Sequence, residues 1–212
     1  GLNVWGPKAA RQIGKGVWQN VPAWNRAAAR DGVIRRVFTG SLMDWAEDRP
    51  DLIEPRQRMW SLIRQCTSLH FQMLTKRPEN IARFLPDGFL DAPWPGVWLG
   101  TSIENDRHTF RADILRKIPA AVRFISAEPL LGPLPSLRLD GIHWIIVGGE
   151  SGPGYRPMDH AWARDLRDRC VQADVAFFLK QSAAPRTELG TSLIEADGSK
   201  WIWKQYPRTP FT

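Results

Sequence analysis

Six short stretches of the chain are rich in β-branched and aromatic residues, and most run as continuous apolar segments without alternating polar positions. Continuous apolar runs are typical of strands that are covered on both faces, as in a parallel sheet. The predicted strands are IRRVFTGS (34–41), LHFQMLTKR (69–77), VWLGTSIEN (97–105), VRFISAEP (122–129), IHWIIVGGES (142–151) and VAFFLKQ (175–181).

Apolar residues at helical spacing predict helices between these strands. Residues 51–66 and 105–118 repeat apolar positions every three or four residues, which makes one face of a helix apolar. Pro78 starts a short helix that runs to Leu85, because proline is favoured in the first turn. Asp159 is the predicted cap of the last helix, since its side chain can accept hydrogen bonds from free N–H groups of the first turn.

The order of these elements predicts the fold class. Strands and helices alternate, which is the pattern of βαβ units in a parallel sheet. We therefore predict an α/β fold with mainly parallel strands, an incomplete barrel and helices outside it. Residues 1–181 form this domain, with a helix from Pro22 to Asp31 in an otherwise irregular first segment. Residues 182–212 are predicted to form a hairpin or extension packed on the same domain.

The composition fits a globular chain of 212 residues, with 43% hydrophobic and 24% charged residues. No apolar run approaches the ~18 residues of a membrane span, and the sequence does not start with a basic and apolar leader. We therefore predict a cytoplasmic protein without membrane contact. Cys66 and Cys170 each fall on the apolar face of a predicted helix, outside any CxxC or Cys/His cluster, so no metal site is predicted for this chain.

Basic residues are concentrated at the start of the chain, and the whole sequence has a net charge of +7. Trp5, Trp18 and Trp24 lie among these cations. Basic segments with interleaved aromatic residues can bind the phosphates and bases of nucleic acids, so we predict a nucleic-acid surface here. The alternative is that the cations are solvated and the tryptophans pack on the domain. The cations of the predicted surface are Lys8, Arg11, Lys15, Arg26, Arg30, Arg35 and Arg36.

Polar and charged residues follow almost every predicted strand. The carboxyl ends of parallel strands meet on one face, where active sites form. Glu150 follows two glycines, which let the backbone turn sharply or approach a ligand closely. For each position taken singly, the alternative is that a strand simply ends in polar residues. The strand-end residues are Ser41, Asp44, Thr75, Lys76, Arg77, Ser102, Glu104, Asn105, Ser126, Glu128, Gly148, Gly149, Glu150, Ser151, Lys180 and Gln181.

The mixture of charges at these ends indicates a class of ligand. Carboxylates and cations in one cleft suit an anionic, hydroxyl-bearing ligand such as a nucleotide or nucleoside. One alternative is a hydrolase that uses Glu128 or Glu150 as general base, or an acid pair of the glycosidase type. The sequence has no GxGxxG, Walker A or GxSxG motif.

Six ordered segments lie at the strand ends: FTGSLMDWAED, LTKRPENI, VWLGTSIEND, RFISAEPLLGP, WIIVGGESGPGYRPMD and FFLKQ. Together they resemble the motifs of the phage gene-product 37/68 family, a domain of unknown function from phages, prophages and bacteria. The resemblance covers most of residues 1–181. Members of that family resemble radical S-adenosylmethionine enzymes, so the resemblance implies a partial (β/α) TIM-like barrel, with S-adenosylmethionine and a [4Fe–4S] centre as cofactors of the full-length pattern.

The sequence departs from that pattern at its start. The family carries three cysteines that end in a Cys-x-x-Cys-Tyr-Ala pattern, and GLNVWGP (1–7) is similar to the segment just after them. We therefore expect no cofactor to be bound by this chain as given. The implied function is a radical S-adenosylmethionine-like enzyme domain of unknown substrate that acts on nucleic acid or a nucleotide. The alternative is a non-catalytic phage or prophage protein that binds nucleic acid or a protein partner.

The candidate site residues receive two roles. Four residues from different strand ends are expected to point into one cavity and to act in catalysis: Glu128, Glu150, Lys76 and Lys180. The candidate cofactor-binding residues are Ser41, Asp44, Arg77, Ser102, Glu104, Asn105, Gly148, Gly149 and Gln181. We expect loss of the Glu150 charge to weaken binding of an adenosyl ligand without unfolding the protein.

Overall fold

The computed structural model describes residues 9, 11, 16–39 and 43–208. The α-helices are α1 (Val17–Arg30), α2 (Ile53–Gln65), α3 (Ile81–Phe84), α4 (Phe110–Leu115) and α5 (His160–Gln172). The strands are β1 (Arg35–Thr39), β2 (Leu69–Thr75), β3 (Val97–Ser102), β4 (Val122–Ala127), β5 (Trp144–Gly148), β6 (Ala176–Gln181), β7 (Leu193–Ile194) and β8 (Lys200–Trp201). None of the described helices is both long and apolar enough to cross a membrane.

Strands β1 to β6 form one sheet in which neighbours are parallel and the spatial order follows the order along the chain. The sheet curls into a half-barrel; helices connect most neighbouring strands, and residues 128–143 return the chain from β4 to β5 without a helix. This confirms the predicted α/β fold with a partial TIM-like barrel. Strands β7 and β8 pair antiparallel as a separate hairpin.

The outer face of the sheet forms the main core of the molecule. Outward residues of the strands, such as Leu99, Ile125 and Leu179, are fully buried, and α5 adds Leu166 and Cys170 to the same core. The opposite face of the sheet is also buried over much of its area, which explains why the strands are continuous apolar runs.

The inner face of the half-barrel carries a second cluster of apolar side chains. Phe124 lies over Gly100, where a Cβ atom would come within 2.2 Å of the ring, so glycine is needed for this packing. Trp144 packs edge-on against Trp98 and Phe178, with ring centroids 6.1 and 6.0 Å apart. These rings fill the amino half of the inner face over β3 to β6, so the open part of the face along these strands is its carboxyl half.

Residues 203–206, which we call the tail segment, cover the free edge of β6. The Leu179 N–H donates to the carbonyl oxygen of Trp203 at 2.8 Å, and the Gln205 N–H donates to that of Phe177 at 3.0 Å. The tail segment therefore continues the hydrogen bonding of the sheet beyond its last strand, and it protects backbone groups that an edge strand otherwise exposes.

Tyr206 carries the tail segment across the amino end of the half-barrel. Its ring packs against Trp144 and Phe178, with centroids 5.6 and 5.5 Å away. The guanidinium of Arg36, on β1, lies 3.6 Å from the centre of the same ring. Since β1 and β6 are the two edge strands, Tyr206 links opposite edges of the sheet at its amino end.

The first helix begins earlier than predicted. It starts at Val17 and contains Pro22, which we expected at its start. Proline lacks the N–H that would bond to the previous turn, and this normally favours a helix boundary. Here Val21 and Ala28 are buried on one side of α1, so tertiary packing holds the helix through the proline.

Two other helix predictions had different outcomes. The helix expected over 105–118 is divided into a 3₁₀ turn and the short α4, because the Asn105 side chain accepts from the Arg107 N–H and begins a separate turn. The predicted cap at Asp159 is confirmed, since its side chain accepts from the Ala161 N–H at the start of α5.

Candidate functional site

The strands bring four charged side chains to one rim of the half-barrel, which we call the carboxyl edge. Lys76 follows β2, Glu104 follows β3, Glu128 follows β4, and Lys180 lies near the end of β6. Parallel strands have all of their carboxyl ends on the same side, so these side chains meet there although they are distant in sequence.

The charges of the carboxyl edge form two ion pairs. The ammonium of Lys76 contacts the Glu104 carboxylate. The ammonium of Lys180 lies 2.9 and 3.1 Å from the two oxygens of Glu128. Both lysine side chains are about half exposed, at 56% and 50%, whereas the carboxylates are held more deeply, at 10% and 22%. The edge therefore presents more deeply buried acids with more exposed cations above them.

Gly148 makes the second ion pair geometrically possible. Strand β5 lies between β4 and β6, so the Glu128 side chain must cross β5 to reach Lys180. A Cβ atom at Gly148 would lie 2.8 Å from the Cδ atom of Glu128. The missing side chain at this position leaves the path for the carboxylate, which gives the glycine a role in the site.

Glu104 has the most developed environment at the carboxyl edge. Arg111 donates to one of its oxygens at 3.1 Å, and the Nδ1 atom of His108 lies 3.3 Å from the same oxygen. Burial alone would raise the pKa of Glu104, but the hydrogen bond and charge of Lys76 and the charge of Arg111 outweigh burial and lower it below the usual 4.5. Glu104 is therefore an ionised acid at neutral pH.

Two serines lie beside these ion pairs on the inner face. Ser102 and Ser126 are direct neighbours in the register of β3 and β4, and both are only 2% exposed. Alternation along β3 puts Ser102 on the same face as Trp98. Neither hydroxyl makes a hydrogen bond to another described residue. Neither oxygen is among the fully buried polar atoms that lack a partner, so both still reach solvent and are available to a ligand.

Asp44 and Arg77 are brought together, but their contact holds two neighbouring segments of the chain in place. Their side chains form an ion pair at 2.6 Å, and Asp44 also accepts from Thr75 Oγ1 and from the Lys76 and Ala46 N–H groups. These bonds tie the loop after β1 to the end of β2. Because its carboxylate already has four donors, Asp44 has little remaining capacity for a ligand.

Glu150 is held by its own loop. Its oxygens accept from the Arg156 backbone N–H at 2.7 Å and from the guanidinium at 2.7 and 2.9 Å. The side-chain hydrogen bond to Arg156, followed by the backbone bond, lowers the pKa of Glu150 to about 2. Glu150 makes no hydrogen bond or ion pair with Glu128, Lys180 or Lys76, so among the described residues it is set apart from the two ion pairs.

Gly149, Gln181 and Asn105 also have contacts within the chain. A Cβ atom at Gly149 would lie 2.0 Å from the backbone nitrogen of Ala183, so the glycine serves a close approach of two backbone segments. Gln181 is buried and bonds to the Gly149 carbonyl oxygen and the Glu188 N–H. The Asn105 side chain accepts from the turn that follows it. These contacts hold the rim in shape around the ion pairs.

The predicted basic surface is divided by the fold. Arg11 lies at the carboxyl edge, where its guanidinium binds Glu47 at 2.7 and 2.8 Å. The other described cations of that set belong to α1 and to the start of β1, at the opposite end of the sheet. They are Arg26, Arg30, Arg35 and Arg36. Lys8, Lys15 and Ser41 lie outside the described residues.

The residues present do not fit an iron–sulfur centre. Cys66 ends α2 and Cys170 lies within α5, and both are buried in the outer core, away from the carboxyl edge. Burial raises the pKa of the Cys170 thiol to about 12, which keeps it protonated. Within the described part of the chain, no three His, Cys, Asp or Glu side chains are grouped as metal ligands.

Sequence reasoning overlooked several residues that shape the site. Arg111 and His108 follow Glu104 at helical spacing, which was a usable signal for their contact with it. Ser126 was recognised as a strand-end residue but received no role, although its alternation with Phe124 already placed both on one face. The ion pair between Glu150 and Arg156 had no periodic signal, because it closes an irregular loop.

Comparison with protein-family models matches residues 3–207 to the family described as "Protein of unknown function (DUF5131)", and the chain belongs to this family. The match spans all six strands of the sheet and every residue of the carboxyl edge. Comparisons with curated proteins and with solved structures gave no match.

Proposed function

We propose that this DUF5131 member binds an adenosyl ligand with an amino-acid group, such as S-adenosylmethionine, at the carboxyl edge, and that it is a radical S-adenosylmethionine-like enzyme domain. The observation that carries the proposal is the pairing of two opposed ion pairs with the unpartnered serines Ser102 and Ser126. The resemblance to the phage gene-product 37/68 family supports the same ligand, and a phage or prophage origin is part of the proposal.

The ion pairs suit a ligand that carries both charges. An α-amino acid has an ammonium and a carboxylate. Its ammonium can take the place of a lysine beside a glutamate, and its carboxylate can take the place of a glutamate beside a lysine. Lys76 and Lys180 are half exposed, so their ammonium groups regain water when they move away from the glutamates, which limits the cost of moving them. Glu104 and Glu128 then remain in place to accept hydrogen bonds from the ammonium or hydroxyl groups of the ligand.

The serines suit the hydroxyl groups of a sugar. A hydroxyl that has no partner in the protein can bond to a ligand hydroxyl in place of water, and such a hydrogen bond contributes ~0.5–1.5 kcal/mol. Ser102 and Ser126 are adjacent, as the two hydroxyls of a ribose are. The aromatic residues on the inner face, including Phe124, lie next along the same strands and provide an apolar floor.

The role proposed for this chain is to bind and orient the ligand. S-adenosylmethionine supplies a sulfonium-activated group when it is bound. The radical chemistry implied by the resemblance needs a cluster held by three cysteines, and this sequence contains only Cys66 and Cys170. A catalytic role for Glu150 remains a prediction.

Binding of S-adenosylhomocysteine and S-adenosylmethionine by calorimetry tests this proposal without any cluster. Ser126→Ala should weaken binding about fivefold, from the loss of one hydrogen bond, while thermal stability stays about equal, because the hydroxyl has no partner among the described residues. Glu128→Gln should weaken binding by about tenfold. The matched controls are Ser61→Ala and Glu54→Gln, at exposed positions of α2.

Two outcomes would count against the proposal. If neither adenosyl compound binds, and free adenosine and free methionine do not bind either, the carboxyl edge is not a binding site for an adenosyl ligand. If Ser126→Ala lowers the melting temperature and leaves binding unchanged, the serine has a structural role. Nucleic-acid binding that persists in either case would favour the non-catalytic alternative.

A further inference from the structure

The open side of the half-barrel exposes aromatic and basic side chains together. Phe38 pairs in register with Gln72, which pairs with Trp98, so Phe38 lies on the inner face. Phe38 is 41% exposed, and Tyr206 at the amino end is 43% exposed. Arg36 lies two residues before Phe38 on β1 and stacks on Tyr206. We call Arg36, Phe38 and Tyr206 the β1 strip.

Further arginines continue the β1 strip around the amino end. Arg35 neighbours Arg36 and contacts Asp31, which also contacts Arg30 at 3.3 Å. Arg26 lies one helical turn before Arg30 on α1. Asp31 is shared by two cations, so it offsets only part of their charge. Arg208 follows the tail segment and is exposed.

The β1 strip is a surface separate from the carboxyl edge. Phe38 is in register with Gln72, four residues before Lys76, so at about 3.3 Å per residue it lies about 13 Å from the carboxyl edge along the sheet, and Arg36 lies farther away. At the carboxyl edge the cations are paired with carboxylates, whereas Arg36 makes no ion pair with any described residue. The two surfaces therefore attract ligands of different charge.

We infer that the β1 strip and its neighbouring arginines bind single-stranded nucleic acid, independently of the adenosyl site. Exposed aromatic rings stack with unpaired bases of any sequence, and arginines bind the phosphates between them. A duplex hides its bases, so it would use the arginines but not the exposed ring of Phe38; the ring of Tyr206 is already covered by Arg36 and holds that arginine in place. Solvated cations alone would not require exposed aromatic rings beside them.

Fluorescence anisotropy of the whole chain with labelled oligo-dT of twelve nucleotides tests this inference, with a duplex of equal length as comparison. The single strand should bind at least about tenfold more tightly than the duplex, because stacking is lost in the duplex. Phe38→Ala should weaken single-strand binding about tenfold without changing its salt dependence. Arg35→Ala with Arg36→Ala should reduce the slope of log affinity against log salt by about 1.4.

The matched control is Lys117→Ala with Arg138→Ala, which removes the same charge from exposed positions elsewhere. It should change affinity less than twofold. Circular dichroism melting of each variant distinguishes lost binding from lost folding. The inference is overturned if the single strand does not bind at low salt, if heparin or duplex binds equally well, or if Phe38→Ala behaves like the control.

Discussion

The carboxyl edge and the amino end of the half-barrel differ in how far their charged side chains form ion pairs. At the carboxyl edge, Lys180 faces Glu128 directly, and the neighbouring pair repeats this arrangement. At the amino end, Arg36 lies on the ring of Tyr206, and Arg26 makes no ion pair with a described residue. The same sheet therefore presents a neutralised rim at one end and, at the other, a basic surface that Asp31 neutralises only in part.

This difference indicates what each end can recognise. A neutralised rim exerts little long-range attraction, so it selects ligands by short hydrogen bonds and by the placement of both charges. A partly neutralised basic surface attracts polyanions over longer distances, and its affinity depends strongly on salt. The net charge of the chain describes neither end by itself.

The largest expected effect tests the rigidity of the carboxyl edge. Gly149→Ala should lower the free energy of unfolding by about 3 kcal/mol or more, because its Cβ atom would overlap the backbone of Ala183 at 2.0 Å. Gly132→Ala is the control, since its surroundings are open. Urea denaturation measures both. If both variants lost the same small amount of unfolding free energy, the rim could shift to make room for the Cβ atom, and the carboxyl edge would not be a rigid site.

The next effect tests the packing of the amino end. Tyr206→Ala should lower the free energy of unfolding by about 2 kcal/mol, because it removes contacts with Trp144 and Phe178 and the stacked Arg36. Tyr155→Ala is matched in exposure, at 39%, and should change stability much less. If both variants melted alike, the tail segment would not hold the amino end.

A smaller effect is expected from acid, again at the amino end. Burial lowers the pKa values of His70 and His143 below 6.5, with further lowering from Arg36 and Arg123 respectively. The unfolded chain therefore binds more protons below pH 6.5, and stability should fall as the pH falls from 7.5 to 5.5. His160, whose pKa is also lowered by burial, adds to the trend.

Urea midpoints across this pH range measure the effect. His70→Gln combined with His143→Gln should flatten the dependence, leaving the contribution of His160. A dependence of the same size in the double variant would assign the acid sensitivity to other groups. Carboxylates contribute little in this range, because they stay ionised above pH 5.5.

The smallest change in stability is expected at Gly148. Its Cβ atom would meet the end of the Glu128 side chain, which can move away, so Gly148→Ala should alter unfolding by less than about 1 kcal/mol. The displaced carboxylate should nevertheless lose Lys180, which NMR of the lysine ammonium can detect. A large loss of stability here would mean that this ion pair supports the fold more than a ligand.

Much of the fold was predictable because a strand that is buried on both faces has a continuous apolar run in the sequence. Residues 144–148 are all buried, and their uninterrupted apolar run predicted a covered strand. The start of α1 was not predictable in the same way. Local preference placed Pro22 at a helix boundary, but the packing of Val21 in the core decided the outcome.

The site was predictable in membership but not in pairing. The alternation of strands and helices predicts a parallel sheet, and a parallel sheet places Glu128 and Lys180 at one edge. Their ion pair forms only because the Glu128 side chain can cross β5 at Gly148, which has no side chain in its path. The sequence does not reveal this contact, since the two residues are 52 positions apart. Equally, the basic cluster was interpreted as one surface, because sequence proximity does not reveal that Arg11 and Arg36 lie at opposite ends of the sheet.

The strand order has a consequence for how the protein is made. Each strand of the sheet pairs with the one synthesised just before it, so the sheet can grow as the chain leaves the ribosome. At every stage the newest strand is an open edge that another chain could join. On the β6 side that edge closes only when residues 203–205 emerge and bond to it. Protection against misassembly on this side therefore arrives after the whole sheet has been synthesised.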